Sequence, residues 1–244
     1  MIAQARGSCT SQRFIQDLSR PEIWNMWSNW KVNLNPRNLP KTISFLLTTF
    51  SGKSSLLLAL LRLLDLKSGT IIVDGLDLQT IPRELIRSRM IAVPQDPFIL
   101  NNSVRRNIDP SQSIPEEQII NALTKVHLWS IIESRGGLDQ EMGSQPFSQG
   151  QQQLFCLARA MLRDSRILIL DEATSNVDLE TDKWMQEIIR KEFKGHTVIT
   201  VAHRIETILD SDVVAVLDKG VLVEFGSPEG LLSRPSLFKE LNSR

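Results

Sequence analysis

Short apolar runs recur along this chain at Thr42–Leu47, Thr70–Val73, Met90–Val93, Ile167–Leu170, Thr197–Val201, Val213–Leu217 and Val221–Phe225. Each is strand-sized and rich in β-branched residues or leucine, and each predicts a strand. Between them, apolar positions fall at three- and four-residue intervals. That spacing predicts helices over Lys53–Asp65, Pro82–Ser88, Glu116–Val126, Gln149–Leu162 and Leu179–Phe193. The first has leucines on more than one face, which predicts burial all round. Asp74-Gly75 and Asp218-Lys219-Gly220 read as hairpin turns. Strands alternating with helices predict a parallel sheet covered on both faces. From Glu116 to Leu162 the helices have no strand between them, which predicts a helical lobe, about residues 97–163, inserted into the α/β core.

Residues 1–40 have no such rhythm. Trp24, Trp27 and Trp30 recur every third residue, as on one helical face from Glu22 to Val32, and Pro36 and Pro40 close the stretch. A loosely docked helix or an unstructured tail is expected there. Residues 1–50 hold six basic and two acidic side chains, a net +4. The whole chain has 28 of each, so the remainder is −4. Overall neutrality argues against general binding of nucleic acid or anionic membrane. With 41% hydrophobic residues over 244 positions, a sizeable core is expected. Two cysteines, Cys9 and Cys156, exclude a disulfide scaffold. No segment has the ~20 apolar residues needed to cross a bilayer. Work at a membrane would need another polypeptide segment to supply the spans.

Five short motifs sit at predicted strand or helix ends. Ser51-Gly52-Lys53-Ser54 lies between a strand and a helix. It matches the second half of a phosphate-binding P-loop, where helix N–H groups and the helix dipole attract anions. Lys53 would reach the β- and γ-phosphates, and the Ser54 hydroxyl would bind Mg²⁺. In Ile167–Leu170 followed by Asp171-Glu172, an apolar strand ends in two carboxylates. The C-terminal edge of a parallel sheet is where such folds bind ligands. There Asp171 would hold Mg²⁺ through water, and Glu172 would polarise an attacking water. Gln95 follows the strand ending at Val93, and His203 follows the strand over Thr197–Ala202. Ser148-Gln149-Gly150-Gln151 opens a helix, with Ser148 as N-cap. Taken singly, Gly-Lys-Ser, the glutamine, the histidine and the serine cap are each better explained as ordinary turns, caps and loops.

Their order carries more weight. The half P-loop, the glutamine, Ser-x-Gly-Gln, the acidic strand end and the histidine follow one another along the chain. This arrangement resembles the nucleotide-binding domain of ATP-binding cassette (ABC) transporters, an α/β P-loop NTPase fold with an inserted helical lobe. The resemblance runs from about Gly52 to the C-terminus. Leu170–Ser175 and Ser148–Gln153 look most like the second such domain of the multidrug-resistance-associated (C) subfamily. It implies residues 41–244 as the domain and ATP with Mg²⁺ as ligands. Nucleotide contacts would come from Ser51, Gly52, Lys53, Ser54 and Ser55. Ser54, Gln95 and Asp171 would hold the metal, and Glu172, His203 and Gln95 would act in catalysis. The family pairs two domains head to tail, so Ser148, Gly150 and Gln151 would serve a nucleotide held by the partner domain. Val177-Asp178 ends the family's D-loop, Ser175–Asp178. The region around Gln95 and residues 98–107 would meet transmembrane domains, placing the chain at the cytoplasmic face of a membrane through its partners, with no nucleic acid involved. Asp96-Pro97-Phe98-Ile99-Leu100 is exporter-like and argues against a translation or DNA-repair relative.

Two departures matter. Leu47 stands where the P-loop pattern has its first glycine, and Phe50 stands at another usual glycine. Those glycines permit unusual backbone angles and close approach to phosphate. A penalty of ~3 kcal/mol would weaken ATP binding more than a hundredfold. The chain also has no tyrosine to stack on adenine, and the family's first antiparallel strands are not recognisable in residues 1–40. The change at Ser51 reads as a junction in a truncated or altered coding sequence. The alternatives are therefore an ATPase domain of an exporter, and an impaired cassette that dimerises and regulates, or the product of a decayed gene.

Overall fold

A computed structural model describes residues 31–34, 42–47, 53–66, 69–143, 146–173, 177–202, 205–218 and 221–243. Its main sheet has six strands in the order β5-β6-β7-β2-β8-β9. In chain order these are β2 (Thr42–Leu47), β5 (Met90–Val93), β6 (Ile167–Asp171), β7 (Thr197–Ala202), β8 (Val213–Asp218) and β9 (Val221–Gly226). The first five in spatial order are parallel, and β9 returns antiparallel as a hairpin from β8. Alternation within β6 shows why the sheet is covered on both faces. Ile167 and Ile169 join one core cluster, while Leu168 and Leu170 join another.

The first face carries α1 (Lys53–Leu60), α2 (Arg83–Arg89) and a small sheet of β1 (Lys31–Leu34), β3 (Thr70–Val73) and β4 (Leu76–Asp77). Asp74 and Gly75 join β3 to β4 with φ of 54° and 78°, the doubly left-handed turn that suits hairpin twist. The opposite face carries α3 (Val104–Ile108), α4 (Glu116–Lys125), α5 (Trp129–Ser134), α6 (Gln149–Met161) and α7 (Leu179–Glu192). Two closing helices, α8 (Pro228–Leu232) and α9 (Leu237–Asn242), pack near β8 on that same side, in a cluster of their own with Val214 and Val216.

Two expectations are corrected. The helix expected to reach Val32 is not formed there: residues 31–34 are strand β1, parallel to β3. Residues 1–30, with Trp24, Trp27 and Trp30, lie outside the described residues. The helix expected over Lys53–Asp65 stops at Leu60. Arg62 takes a left-handed φ of 49°, and its N–H donates to the Ala59 carbonyl while that of Leu63 donates to Leu58. This paired closure is the Schellman motif. The Arg62 guanidinium also donates to the Ile81 carbonyl at 2.6 Å, which holds the turn.

Candidate functional site

Four adjacent parallel strands end on one edge. The register sets Asp171 beside Val201 of β7, and Val201 beside Phe45 of β2. On the other side of β6, Leu170 pairs with Val93, the last residue of β5. Gln95, Asp171 and Glu172 are thereby gathered along this edge, with the C-terminal end of β2. His203 directly follows β7 but lies outside the described residues, as do Ser51 and Gly52 and the side chains of Leu47, Lys53 and Ser54.

β2 ends at Leu47 and α1 opens at Lys53. Residues 48–52, Phe50 among them, lie outside the described residues, but a strand and a helix flank them as they flank a P-loop. The first turn of α1 carries no acidic residue of its own to oppose an anion at the positive end of its dipole. Ser55, two residues into the helix, is buried.

Glu172 has a φ of 46°, in the left-handed region. Its N–H still donates to the Val201 carbonyl at 3.0 Å, so pairing continues past β6 while the backbone turns away. A non-glycine residue there costs on the order of 1–2 kcal/mol. Strain of this kind concentrates at functional sites.

Ser148, Gly150 and Gln151 form a second group, at the start of α6. Ser148 Oγ accepts from the Gln151 N–H at 3.3 Å, and Gln151 Oε1 accepts from the Ser148 N–H at 3.0 Å. This capping box ties off the helix start. Gly150 has a packing reason that the sequence did not show. A Cβ there would lie 3.1 Å from Cγ2 of Thr181 on α7. The Thr181 hydroxyl donates to Asp178 Oδ2 at 2.7 Å, and Asp178 Oδ1 accepts from the N–H groups of Glu180 and Thr181. Hydrogen bonding, first from the Thr181 backbone and then from its hydroxyl, holds the Asp178 carboxyl below its ordinary pKa. Thr181 therefore links the Ser-x-Gly-Gln turn to the cap of α7. Ser175 and Asn176 lie outside the described residues.

Gln95 is held by its backbone. Nε2 of buried Gln153 on α6 donates to the carbonyls of Pro94 at 3.2 Å and Gln95 at 2.6 Å. Among the described residues, no group of three or more His, Cys, Asp or Glu side chains is arranged to hold a metal ion. Nor is any described helix long and apolar enough to cross a membrane.

The model of the ABC transporter family matches residues 49–175, more than half the chain. The chain is 47% identical over 229 residues to the ABC transporter atnG of Emericella nidulans, covering 93% of this chain and 14% of that protein. That coverage leaves too few residues unmatched for the likeness to stop at Ser51. Against the ATP-binding cassette sub-family C member 2 of Rattus norvegicus it is 49% identical over 193 residues, 78% of this chain and 12% of that one. Among solved structures, a bacterial Atm1-family ABC exporter with ATP bound superposes with a TM-score of 0.77 at 30% identity. It covers 83% of this chain and 36% of the exporter chain. The chain thus spans about one-seventh or less of the curated relatives' length, and the motif order, strand-edge geometry and family match agree: it belongs to the ABC transporter family, resembling the C-subfamily nucleotide-binding domain.

Proposed function

We propose that this chain is the ATP-binding unit of an exporter, that residues 41–244 form that unit, and that residues 97–163 are its helical lobe. The supporting observation is the shared C-terminal edge, where the end of β2, Gln95, Asp171 and Glu172 meet. In this reading Ser51–Ser55 cradle the nucleotide phosphates at the start of α1. Mg²⁺ is satisfied by one or two carboxylates plus phosphate and water oxygens. Asp171 at the strand end, with Ser54 and Gln95, meets that requirement. Bound Mg²⁺ neutralises charge on the transferred phosphoryl group. Glu172 accepts a proton from the attacking water, and His203 donates a hydrogen bond toward the terminal phosphate.

Ser148, Gly150 and Gln151 then contribute to a nucleotide on a second domain of the same kind, in a head-to-tail pair. Pairing and separation would work on transmembrane domains at the cytoplasmic face. The direct test is phosphate release from Mg-ATP. Turnover by the native chain that falls by about 10²–10⁴-fold in Glu172→Gln supports the assignment; equal turnover in both removes Glu172 from the chemistry.

One observation favours a second reading. The Ser148 cap is complete, whereas Leu47 and Phe50 occupy glycine positions. A chain so built could pair with an intact cassette and regulate it without hydrolysis of its own. Mixing the two and following the intact partner's ATPase rate tests this: a change in rate supports regulation, and none removes it.

A further inference from the structure

Segment 94–103 joins β5 to α3 without regular secondary structure. It nevertheless exposes two large apolar side chains, Phe98 at 72% and Leu100 at 48%. A loop with its apolar groups facing outward has little core burial to hold it. Here its backbone is held instead by three inward side chains. Gln153 Nε2 donates to the Pro94 and Gln95 carbonyls. Arg159 Nη1 donates to the Phe98 carbonyl at 2.8 Å. Asn107 Oδ1 accepts from the Leu100 N–H at 2.8 Å, while its Nδ2 donates to the carbonyls of Leu100, Asn102 and Ser103. Arg159 closes the set by donating Nη2 to Asn107 Oδ1 at 3.1 Å and Nε to the Asn107 carbonyl at 2.7 Å.

Gln153 and Asn107 are nearly inaccessible, at 1% and 2% exposure. The Arg159 guanidinium also lies over the Phe155 ring, 5.0 Å from its centroid. Gln153 and Arg159 both belong to α6, the helix whose first turn carries Ser148–Gln151. From that turn to Arg159 is ~16 Å along one helix. A single rigid element thus carries the turn at one end and grips the exposed loop farther along.

We propose that Gln153 and Arg159 are positioning residues that lock segment 94–103 to α6, so that the Ser-x-Gly-Gln turn and the exposed Phe98–Leu100 surface move as one body. This deepens the proposed function: a displacement of the α6 start by a paired domain is delivered to the loop without dissipation in a flexible link. Gln153 Oε1 is buried without a hydrogen-bond partner. Both of the bonds that hold Pro94 and Gln95 therefore come from the amide nitrogen, and an apolar replacement removes them and leaves the two carbonyls without that donor.

The test needs no nucleotide, so it stands or falls apart from the ATPase reading. Spin labels are placed at Gln149→Cys and Leu100→Cys, both exposed, with Cys9→Ser in the background and Cys156 buried. The distance distribution is measured in otherwise native chain, in Gln153→Met and in Arg159→Lys, which keeps the charge but loses the fork. Native chain is expected to give one narrow distance, and both variants a broad one. Amide exchange at Leu100 should quicken by about tenfold or more in Arg159→Lys, the factor expected for losing about one net hydrogen bond. Exchange in β6 and β7 should stay unchanged, which separates loop release from general unfolding. Narrow distances and unaltered Leu100 exchange in both variants would overturn the proposal, as would a broad distribution in native chain. If Gln153→Met fails to fold, Arg159→Lys decides alone.

Discussion

Helices α1 and α6 both begin where the proposed function needs phosphate contacts, yet their surroundings differ. The start of α6 is fixed on every side: Ser148 and Gln151 cap each other, Gly150 sits against Thr181, and farther along Gln153 and Arg159 hold a loop. The far end of α1 is equally well closed, by the Arg62 turn. Strand β2 and helix α1 flank residues 48–52, but Leu47 and Phe50 stand where the P-loop pattern would have glycines. The end that would serve a partner's nucleotide is therefore complete, and the end that would serve the chain's own nucleotide carries the changes. Motifs of one family can be retained or altered separately, because each is stabilised by its own neighbours.

The largest expected effect probes the support beneath α6. Phe155 is fully buried there, against Phe147 and the Arg159 guanidinium. Phe155→Ala should cost about 3–5 kcal/mol in urea unfolding. A loss below about 1 kcal/mol would mean that this side of the comparison is not rigid.

A smaller effect sharpens the role of Gly150. Alanine in a helix normally gains about 0.5–1 kcal/mol over glycine. In native chain that gain should be absent for Gly150→Ala, because Thr181 is tethered to Asp178 and cannot withdraw. With Thr181→Ser, which keeps the hydroxyl and removes the methyl, the gain should return. Thermal unfolding of the four chains in a double-mutant cycle reads the coupling.

The smallest effect is a pH dependence. Asp109 follows α3 and is buried, which raises its pKa. Hydrogen bonds from Ser111 and from the N–H groups of Ile114, Ser113 and Ser111 outweigh burial and hold it below the ordinary value. A lowered carboxyl pKa contributes stability above the ordinary aspartate range and loses it as pH falls through the folded value. The advantage of native chain over Asp109→Asn should be constant near neutrality and shrink below about pH 4. Urea midpoints across that range check the sign.

The sheet was legible because its strands are apolar runs bounded by polar turns; Met90–Val93 appears with the boundaries the pattern predicts. The α/β class and the parallel order followed from the same rhythm. β1 escaped notice because its partner, β3, is nearly forty residues away and Lys31–Leu34 has no local signature. The overlong first helix came from reading leucines past Leu60, where Arg62 takes a backbone conformation that glycine usually signals. At the site, strand-end residues such as Asp171 were legible from their position after an apolar run. Asn107, Gln153, Arg159 and Thr181 were not, since their partners lie far along the chain or across to another helix. A polar side chain inside an otherwise buried helix, such as Gln153 in α6, was the available clue.

In the proposed function this chain is built around ATP, with a phosphate loop weakened at Leu47 and Phe50. Calorimetric titration of Mg-ATP into native chain and into Leu47→Gly/Phe50→Gly tests it most directly. Native chain is expected to bind weakly, and repair to tighten binding about a hundredfold, near 2.7 kcal/mol. Equal affinity in both chains would show that those positions do not limit binding. Absence of binding in both would contradict the ATP-binding reading itself.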